Sequence, residues 1–249
     1  MGTKVNFLGY PLAVDPFPVT TDTVYPITIN TINQYSYCVA QQDSAFKKAL
    51  QASDILLPDG MAIVKACAYL TGKPLKKIAG ADMHSYLLDQ LSQTGGTCLY
   101  LGSTPDVLDG IKNRMDIEYP TINTHYFSPP FKENFSEDDL LTMVNEINSI
   151  KPDILFLGLT APKQEKLAHL LKEKVQAKII CSIGAVFDFY AGSISRPGQF
   201  WINLNLEWFV RLMKEPKRMW KRYLYYGTLF VYDIVLTKFR RAELMRTAN

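Results

Sequence analysis

Short apolar runs alternate with amphipathic stretches along the first 195 residues of the chain. The apolar runs predict strands at residues 27–31, 54–58, 97–102, 121–127, 153–158 and 178–184. Between them, apolar residues recur at helical spacing over residues 35–51, 61–70, 82–93, 105–117, 137–150 and 162–175. The alternation predicts an α/β fold in which helices cover both faces of a mostly parallel sheet.

The pattern changes after the Gly-, Ser- and Pro-containing stretch 192–198, which predicts a division into residues 1–195 and residues 196–249. The tail carries 11 Lys/Arg against 4 Asp/Glu, whereas the first part carries 16 against 20. Its cations alternate with Trp, Tyr and Phe, which is typical of a membrane-surface or nucleic-acid-binding segment. Its longest apolar run, residues 223–236, contains Asp233 and is shorter than the ~20 residues of a spanning helix. We therefore expect the tail to lie on a bilayer without crossing it.

Length and composition fit a globular protein. With 249 residues and 47% hydrophobic content, the chain can bury a substantial core, most simply as one domain with an appendage. The four cysteines form no CxxC pair and no secretory leader precedes Val5, which favours reduced thiols in a cytosolic protein. The three histidines are scattered without HExxH spacing, so no metal site is predicted.

Polar residues follow two of the predicted strands. Asp59 lies between strand 54–58 and the next helix, a position that suits a general base or a helix N-cap. Thr31 and Asn33, two residues apart, share one face and offer a hydroxyl and an amide to a ligand, or cap the following helix. Because open α/β folds bind ligands at the carboxyl edge of the sheet, these residues are candidates for a site.

Two further strand ends carry candidate ligand groups. Gly102 and Ser103 lead into a helix N-terminus, which favours phosphate, although the turn lacks the full GxGxxG spacing and a P-loop Lys. The tetrapeptide 162–165, PKQE, opens the helix after strand 153–158 and fits either a site or an ordinary helix start. No DxD-like metal–nucleotide motif occurs, so neither a divalent ion nor another cofactor is implied.

Six blocks stand in a fixed order along the chain: TIN (31–33), SDILLPDGMAIVKA (53–66), KIAGAD (77–82), GLTAPKQE (158–165), IGAVFDFYAGSISRPG (183–198) and LEWFVRLMKEPKRMWKRY (206–223). Together they resemble the bacterial WecG/TagA/CpsF glycosyltransferases, glycosyltransferase family 26. Lys77 stands where that family usually has Arg. Members of this family move a sugar from a UDP-sugar to an acceptor linked to a polyprenyl diphosphate.

The resemblance implies roles that spacing alone leaves open. It makes Asp59 the catalytic base and places Thr31, Asn33 and Gln164 in the active site, with Asp188 near the nucleotide. Tail cations are candidates for holding the diphosphates. The full set expected to bind substrate is Lys77, Gly80, Asp82, Gly102, Ser103, Lys163, Glu165, Asp188, Arg196, Arg211, Arg218, Lys221 and Arg222.

These expectations describe a Rossmann-like α/β domain followed by a helical, basic appendage that associates with membranes. The resemblance implies an inverting hexosyltransferase of cell-surface polysaccharide synthesis that uses a UDP-sugar, N-acetylmannosamine or a related hexose or uronic acid. It would work peripherally on the inner face of the bacterial plasma membrane, without nucleic acid, and homo-oligomerisation stays open.

Two other classes remain as alternatives. A Rossmann-type nucleotide-binding oxidoreductase fits the α/β pattern, but the GxGxxG fingerprint is missing. A non-catalytic membrane or nucleic-acid interaction protein fits the tail, but does not account for the polar residues at the strand ends.

Overall fold

The computed structural model describes residues 3–19, 25–194, 198, 200–201, 204 and 206–247. An eight-stranded sheet lies at its centre, in the order β1-β2-β4-β3-β8-β7-β5-β6. The strands are β1 Lys4–Phe7, β2 Tyr10–Ala13, β3 Ile27–Ile32, β4 Ile55–Pro58, β5 Thr97–Gly102, β6 Asn123–Phe127, β7 Ile154–Gly158 and β8 Ile179–Ser182. Only β1 and β2 pair antiparallel in this sheet, so the predicted mostly parallel sheet is confirmed.

Helices cover both faces of the sheet, as the pattern predicts. Those of the first part are α1 Gln34–Ala40, α2 Ser44–Gln51, α3 Met61–Thr71, α4 Gly80–Thr94, α5 Pro105–Glu118, α6 Glu137–Ile150, α7 Lys163–Leu171 and α8 Val186–Ala191. Successive residues of β5 point to opposite faces: Tyr100 packs among residues of α4, α5 and α8, whereas Leu99 and Leu101 pack among residues of α6 and α7.

Two local features differ from the sequence prediction. The hairpin of β1 and β2 is not predicted, because its strands are four residues each and β2 contains Pro11. The helix predicted over residues 35–51 is two helices, since Asp43 caps the start of α2 by accepting a hydrogen bond from the Phe46 amide at 2.9 Å.

The tail continues as α9 Glu207–Lys214, α10 Pro216–Trp220, a π-helical segment Lys221–Tyr225 and α11 Tyr226–Thr247. In the π-helical segment the Tyr226 amide donates to the Lys221 carbonyl, five residues back. None of the helices in the described ranges is long and apolar enough to span a bilayer.

One side of α11 packs against the α/β domain. Phe230 and Ile234 are 2% and 5% exposed and belong to the same buried cluster as Tyr37 of α1 and Leu70 of α3. The Tyr37 hydroxyl donates to the carboxylate of Asp233. The Lys238 ammonium and the Arg241 guanidinium donate to the backbone carbonyls of residues 69 and 70. The appendage is therefore fastened to the α/β domain by polar and apolar contacts.

Candidate active site

The strand order creates a crevice at the carboxyl edge of the sheet. From β3 the chain moves outward to β4, whereas β5 to β8 lie on the other side of β3. The boundary between β3 and β8 is thus a topological switch point, where open α/β sheets bind ligands. A cleft of about 2340 Å³ opens there. It exceeds the ~300–1,000 Å³ typical of a site for one small ligand, so two substrates have room.

Asp59 lies at the carboxyl end of β4 and lines this cleft. Its backbone amide donates to the Ile32 carbonyl at 2.9 Å, which fixes the strand end beside β3. Desolvation raises the pKa of the Asp59 carboxyl to about 6; Lys77 and Arg211 oppose the rise, and Glu207 and Asp82 add to it. A carboxylate with such a pKa can take up a proton near neutral pH.

Thr31 and Asn33 line the same cleft at the end of β3. The Asn33 side-chain oxygen caps α1 by accepting from the Ser36 amide at 3.0 Å. The capping alternative for Asn33 is therefore present in the structure. Capping by the oxygen leaves the Nδ2 of Asn33 as a donor, and Asn33 lines the same cleft as Asp59.

Gln164 and Glu165 start α7 and are buried, with 6% and 1% of their surface exposed. The Gln164 Nε2 donates to Glu165 Oε1 at 3.0 Å. Burial raises the pKa of the Glu165 carboxyl to about 7, while the hydrogen bond from Gln164 and the positive charge of Arg222 act in the opposite direction. Both residues line the cleft, although the sequence at a helix start predicts exposed side chains.

Cations outnumber carboxylates along the cleft. Those of the described residues that line it are Lys65, Lys77, Lys132, Lys163, Lys166, Arg211, Arg218, Lys221 and Arg222. The carboxylates are Asp43, Asp59, Glu133, Glu165, Asp188 and Glu207. Because the pKa of Glu165 is raised to about 7, this carboxyl is partly neutral near pH 7 and the positive excess is larger than the count implies. Such a lining favours a polyanionic ligand.

Three tail arginines reach the cleft in different states. Arg218 forms an ion pair with Glu215 at 2.6 Å. Arg222 lies over the Tyr35 ring, with its Cζ 4.4 Å from the ring centroid. Arg211 lies 5.3 Å from the Phe189 ring centroid, and its buried Nε has no hydrogen-bond partner among the described residues. The Arg211 guanidinium thus has a buried donor still to satisfy.

The remaining predicted residues divide into lining and supporting positions. Gly80, Ser103, Lys163 and Asp188 line the cleft. Burial raises the pKa of the Asp188 carboxyl, and Arg218 counteracts this. The Lys163 ammonium donates to the Lys132 carbonyl and lies 3.8 Å from the Phe135 ring centroid.

Two predicted substrate ligands do not line the cleft. Asp82 caps α4, where its side chain accepts from the Ala79 amide at 2.9 Å. Gly102 packs against the neighbouring strand: a Cβ on it would lie 2.6 Å from the Gly158 carbonyl oxygen. The contacts observed at these two positions are a helix cap and a close backbone approach, and their binding of substrate stays a prediction. Arg196 lies outside the described residues.

Glu207 and Tyr35 are site residues that the motif reading misses. The Glu207 carboxylate pairs with Lys77 at 3.6 Å and raises the pKa of Asp59. Tyr35 supports Arg222 from α1. Glu207 lies in the block 206–223, one of the six on which the family resemblance depends. Nothing in the sequence around Tyr35 links this residue to Arg222, which lies far along the chain.

The fold and the cleft define a Rossmann-like α/β protein whose ligand site lies at the sheet's carboxyl edge, lined with cations and two carboxyls of raised pKa. The chain belongs to the WecG/TagA/CpsF family of glycosyl transferases, because the model of that family matches residues 5–244. The protein is thus an enzyme of the glycosyltransferase class, and the resemblance of the six blocks is confirmed.

Two curated relatives from Bacillus are similar to the chain. An N-acetylglucosaminyldiphosphoundecaprenol N-acetyl-beta-D-mannosaminyltransferase of Bacillus subtilis (strain 168) is 30% identical over 196 residues, which are 79% of this chain and 74% of the relative. The enzyme of the same name from Bacillus spizizenii (strain ATCC 23059 / NRRL B-14472 / W23) is 30% identical over 186 residues, 74% of this chain and 70% of the relative.

Proposed function

We propose that this glycosyltransferase moves N-acetylmannosamine from UDP to a sugar carried on a polyprenyl diphosphate, with inversion at the anomeric carbon. The names of the relatives support the sugar and the kind of acceptor. The observation that carries the proposal is the position of Asp59, a carboxyl with its pKa raised to about 6 at the end of β4 in a cation-rich cleft.

Asp59 is the base of the proposed reaction. Its carboxylate takes the proton of an acceptor hydroxyl while that oxygen forms a bond to the anomeric carbon of the donor sugar. The bond from the anomeric carbon to UDP breaks on the opposite face, and its electron pair leaves with the diphosphate. Thr31, Asn33 and Gln164 line the same part of the cleft and are the proposed ligands of the sugars.

The leaving diphosphate is stabilised by arginines of the tail and Lys77 in this proposal. Arg211 has an unpartnered buried donor, and Arg222 approaches from the π-helical segment. A fixed guanidinium in a desolvated cleft stabilises negative charge that develops in the transition state. These cations do the work that a divalent ion does in enzymes with a DxD motif.

The outer side of the tail is the proposed membrane-docking surface. It exposes aromatic and aliphatic side chains that do not line the cleft: Phe209, Met213, Trp220, Tyr225, Leu229, Val235, Phe239 and Leu244. Apolar side chains beside cations bind the surface of an anionic bilayer. Docking there would place the cleft next to a lipid-linked acceptor, on the cytoplasmic face of the membrane.

A donor screen tests the proposed reaction. The purified enzyme is incubated with a short-chain polyprenyl-diphosphate N-acetylglucosamine and, one at a time, UDP-N-acetylmannosamine, UDP-N-acetylglucosamine and UDP-glucose. We expect a disaccharide product from UDP-N-acetylmannosamine alone. Transfer from one of the other two donors in its place would reassign the sugar. If the enzyme binds UDP but forms no product from any donor, the proposed acceptor is rejected.

A further inference from the structure

Four buried polar atoms without a partner lie on β3, β8 and the start of α7. Within the described chain, Asn30 Oδ1, Gln164 Oε1, Glu165 Oε2 and Ser182 Oγ are solvent-inaccessible and make no hydrogen bond. Ile29 of β3 pairs with Cys181 of β8. The next residues in the same register, Asn30 and Ser182, therefore lie opposite each other. Ser182 shares a face with Ile180, which packs among residues of α7. We call these four residues the buried polar cluster.

The side-chain amide of Gln164 lies beside the chain that follows β8, with Nε2 3.4 Å and Oε1 slightly closer to the position of a Cβ on Gly184. A Cβ built on Gly184, which has a φ of +53°, would lie 3.3 Å from Gln164 Oε1. Gly184 and Gln164 both line the cleft. Gln164 Nε2 donates to Glu165 Oε1, so the position of Glu165 sets the position of this amide beside Gly184.

Donors and acceptors in the buried polar cluster do not balance if Glu165 is ionised. An ionised carboxylate only accepts, and the amide oxygens of Asn30 and Gln164 only accept, which leaves the Ser182 hydroxyl as the single donor among the unpartnered atoms. A protonated Glu165 adds one donor and keeps Oε1 as the acceptor for Gln164. Buried groups without partners are costly, so the balance favours the neutral carboxyl.

We propose that Glu165 is a positioning residue that works as a neutral carboxylic acid. Its Oε1 accepts one N–H of Gln164 Nε2, which holds the side-chain amide of Gln164 in the wall of the cleft, where the second N–H of Nε2 donates to the bound sugar. This inference rests on the proposed sugar transfer. It adds the ionisation of Glu165 to that of Asp59, the proposed base.

The charged side chains that pack against α7 form ion pairs with residues other than Glu165. On α2, Asp43 pairs with Lys166, and the carboxylate of Asp54, before β4, pairs with Lys172 at 2.6 Å. From the tail, Arg222 faces Glu165 and lowers its pKa, but burial outweighs this effect and the pKa is about 7. The neutral form therefore dominates below pH 7 and is lost as the pH rises through that value.

The first experiment compares Glu165→Gln, Glu165→Ala and the control Glu173→Gln, which makes the same change at an exposed position. A glutamine keeps both an acceptor and a donor, so Glu165→Gln should retain most of the transfer rate near pH 6. Glu165→Ala should lose on the order of 10- to 100-fold in kcat/KM, because a loosened Gln164 no longer meets the sugar. The wild-type rate should fall above pH 7, and Glu165→Gln should lack that fall.

A second readout does not depend on activity. The side-chain amide resonance of Gln164, assigned by its loss in Gln164→Ala, should shift with pH with a midpoint near 7 in the wild type and in Glu173→Gln. It should not titrate in Glu165→Gln. Folding of each variant is checked by its thermal melt.

The outcomes separate the two proposals. Sugar transfer without titration of the Gln164 amide overturns the role of Glu165, as does a Glu165→Gln variant that is as inactive as Glu165→Ala at every pH. Titration of the Gln164 amide in a protein that transfers no sugar from any donor keeps the contact and rejects the proposed function.

Discussion

The sheet edge and the tail contribute to the cleft by opposite means. At the sheet edge, Asp59 and Glu165 are held by backbone pairing and burial, and their pKa values are raised to about 6 and about 7. In the tail, four cations line the cleft from helices whose outer side is apolar and exposed. We propose that the desolvated carboxyls control protons, whereas the tail supplies positive charge and an apolar surface. The comparison separates acid–base chemistry from anion and membrane binding, and each half can be tested separately.

The largest effect is expected from the sheet edge. Asp59→Asn keeps the shape of the side chain and removes its basicity, so transfer should fall roughly 100-fold or more with UDP affinity nearly unchanged. The wild-type rate should rise with pH through about 6, as the carboxylate loses its proton. Steady-state rates and calorimetric UDP titration measure both. Asp109→Asn, an exposed change on α5, is the control, and equal rates for the two variants would reduce Asp59 to a structural role.

A smaller loss is expected from the tail cations. Arg211→Ala removes the guanidinium with an unpartnered donor, and we expect kcat/KM to drop on the order of 10- to 100-fold with weaker UDP binding. Arg240→Ala removes an exposed arginine of α11 that does not line the cleft and should leave the rate unchanged. Equal rates in Arg211→Ala and the wild type would remove Arg211 from the diphosphate site.

Two adjacent residues of α11 test its two sides. Ile234→Ser places a hydroxyl in the buried cluster and should lower the free energy of unfolding by about 2–4 kcal/mol. Val235→Ser, on a side chain 39% exposed, should change stability by less than about 0.5 kcal/mol but weaken flotation with anionic vesicles. Unchanged flotation of Val235→Ser, alone and combined with Phe239→Ser, would show that this side does not meet the bilayer.

These point variants are cleaner than removal of the whole tail. The predicted division between residues 195 and 196 suggests a cut near Gly198. The structure shows that Phe230, Ile234 and Asp233 cover Tyr37, so the cut would expose buried apolar surface. A loss of activity after truncation would therefore mix a folding defect with a loss of cations.

The smallest effect is expected from chelation. Because cations of the cleft meet the charge of the diphosphate, transfer should continue at an unchanged rate in EDTA. The measurement compares initial rates with and without EDTA, and with added Mg²⁺ or Mn²⁺. A rate abolished by EDTA and restored by either ion would show that arginines alone do not stabilise the leaving group.

The sequence predicts the sheet edge better than it predicts the environment there. The apolar runs before Thr31, Asp59 and the PKQE block are long enough to identify strands, and the fold rule then brings their ends together. Burial of Glu165 was not predictable in this way, because α7 also packs on β3, which lies far from it in sequence. For the same reason, no local pattern links Tyr35 to Arg222.

The tail shows the reverse. Composition predicts its cations and aromatic residues, and Pro216 marks the break between α9 and α10. Its attachment to α1 and α3 has no such signal: Asp233 interrupts an apolar run and appears in the sequence as a solvent-facing charge, but its carboxylate accepts from the Tyr37 hydroxyl.

The π-helical segment sets the rotation of α11 about the helix axis relative to α10. Its bond from the Tyr226 amide to the Lys221 carbonyl spans one residue more than an α-helical bond. Each residue turns a helix by about 100°, so deletion of one residue from this segment would rotate α11 by about that angle relative to α10. Phe230 and Ile234 would leave the core if Arg222 kept its place over Tyr35. The extra residue thus lets one continuous helical rod point its arginine into the cleft and its apolar anchors into the domain.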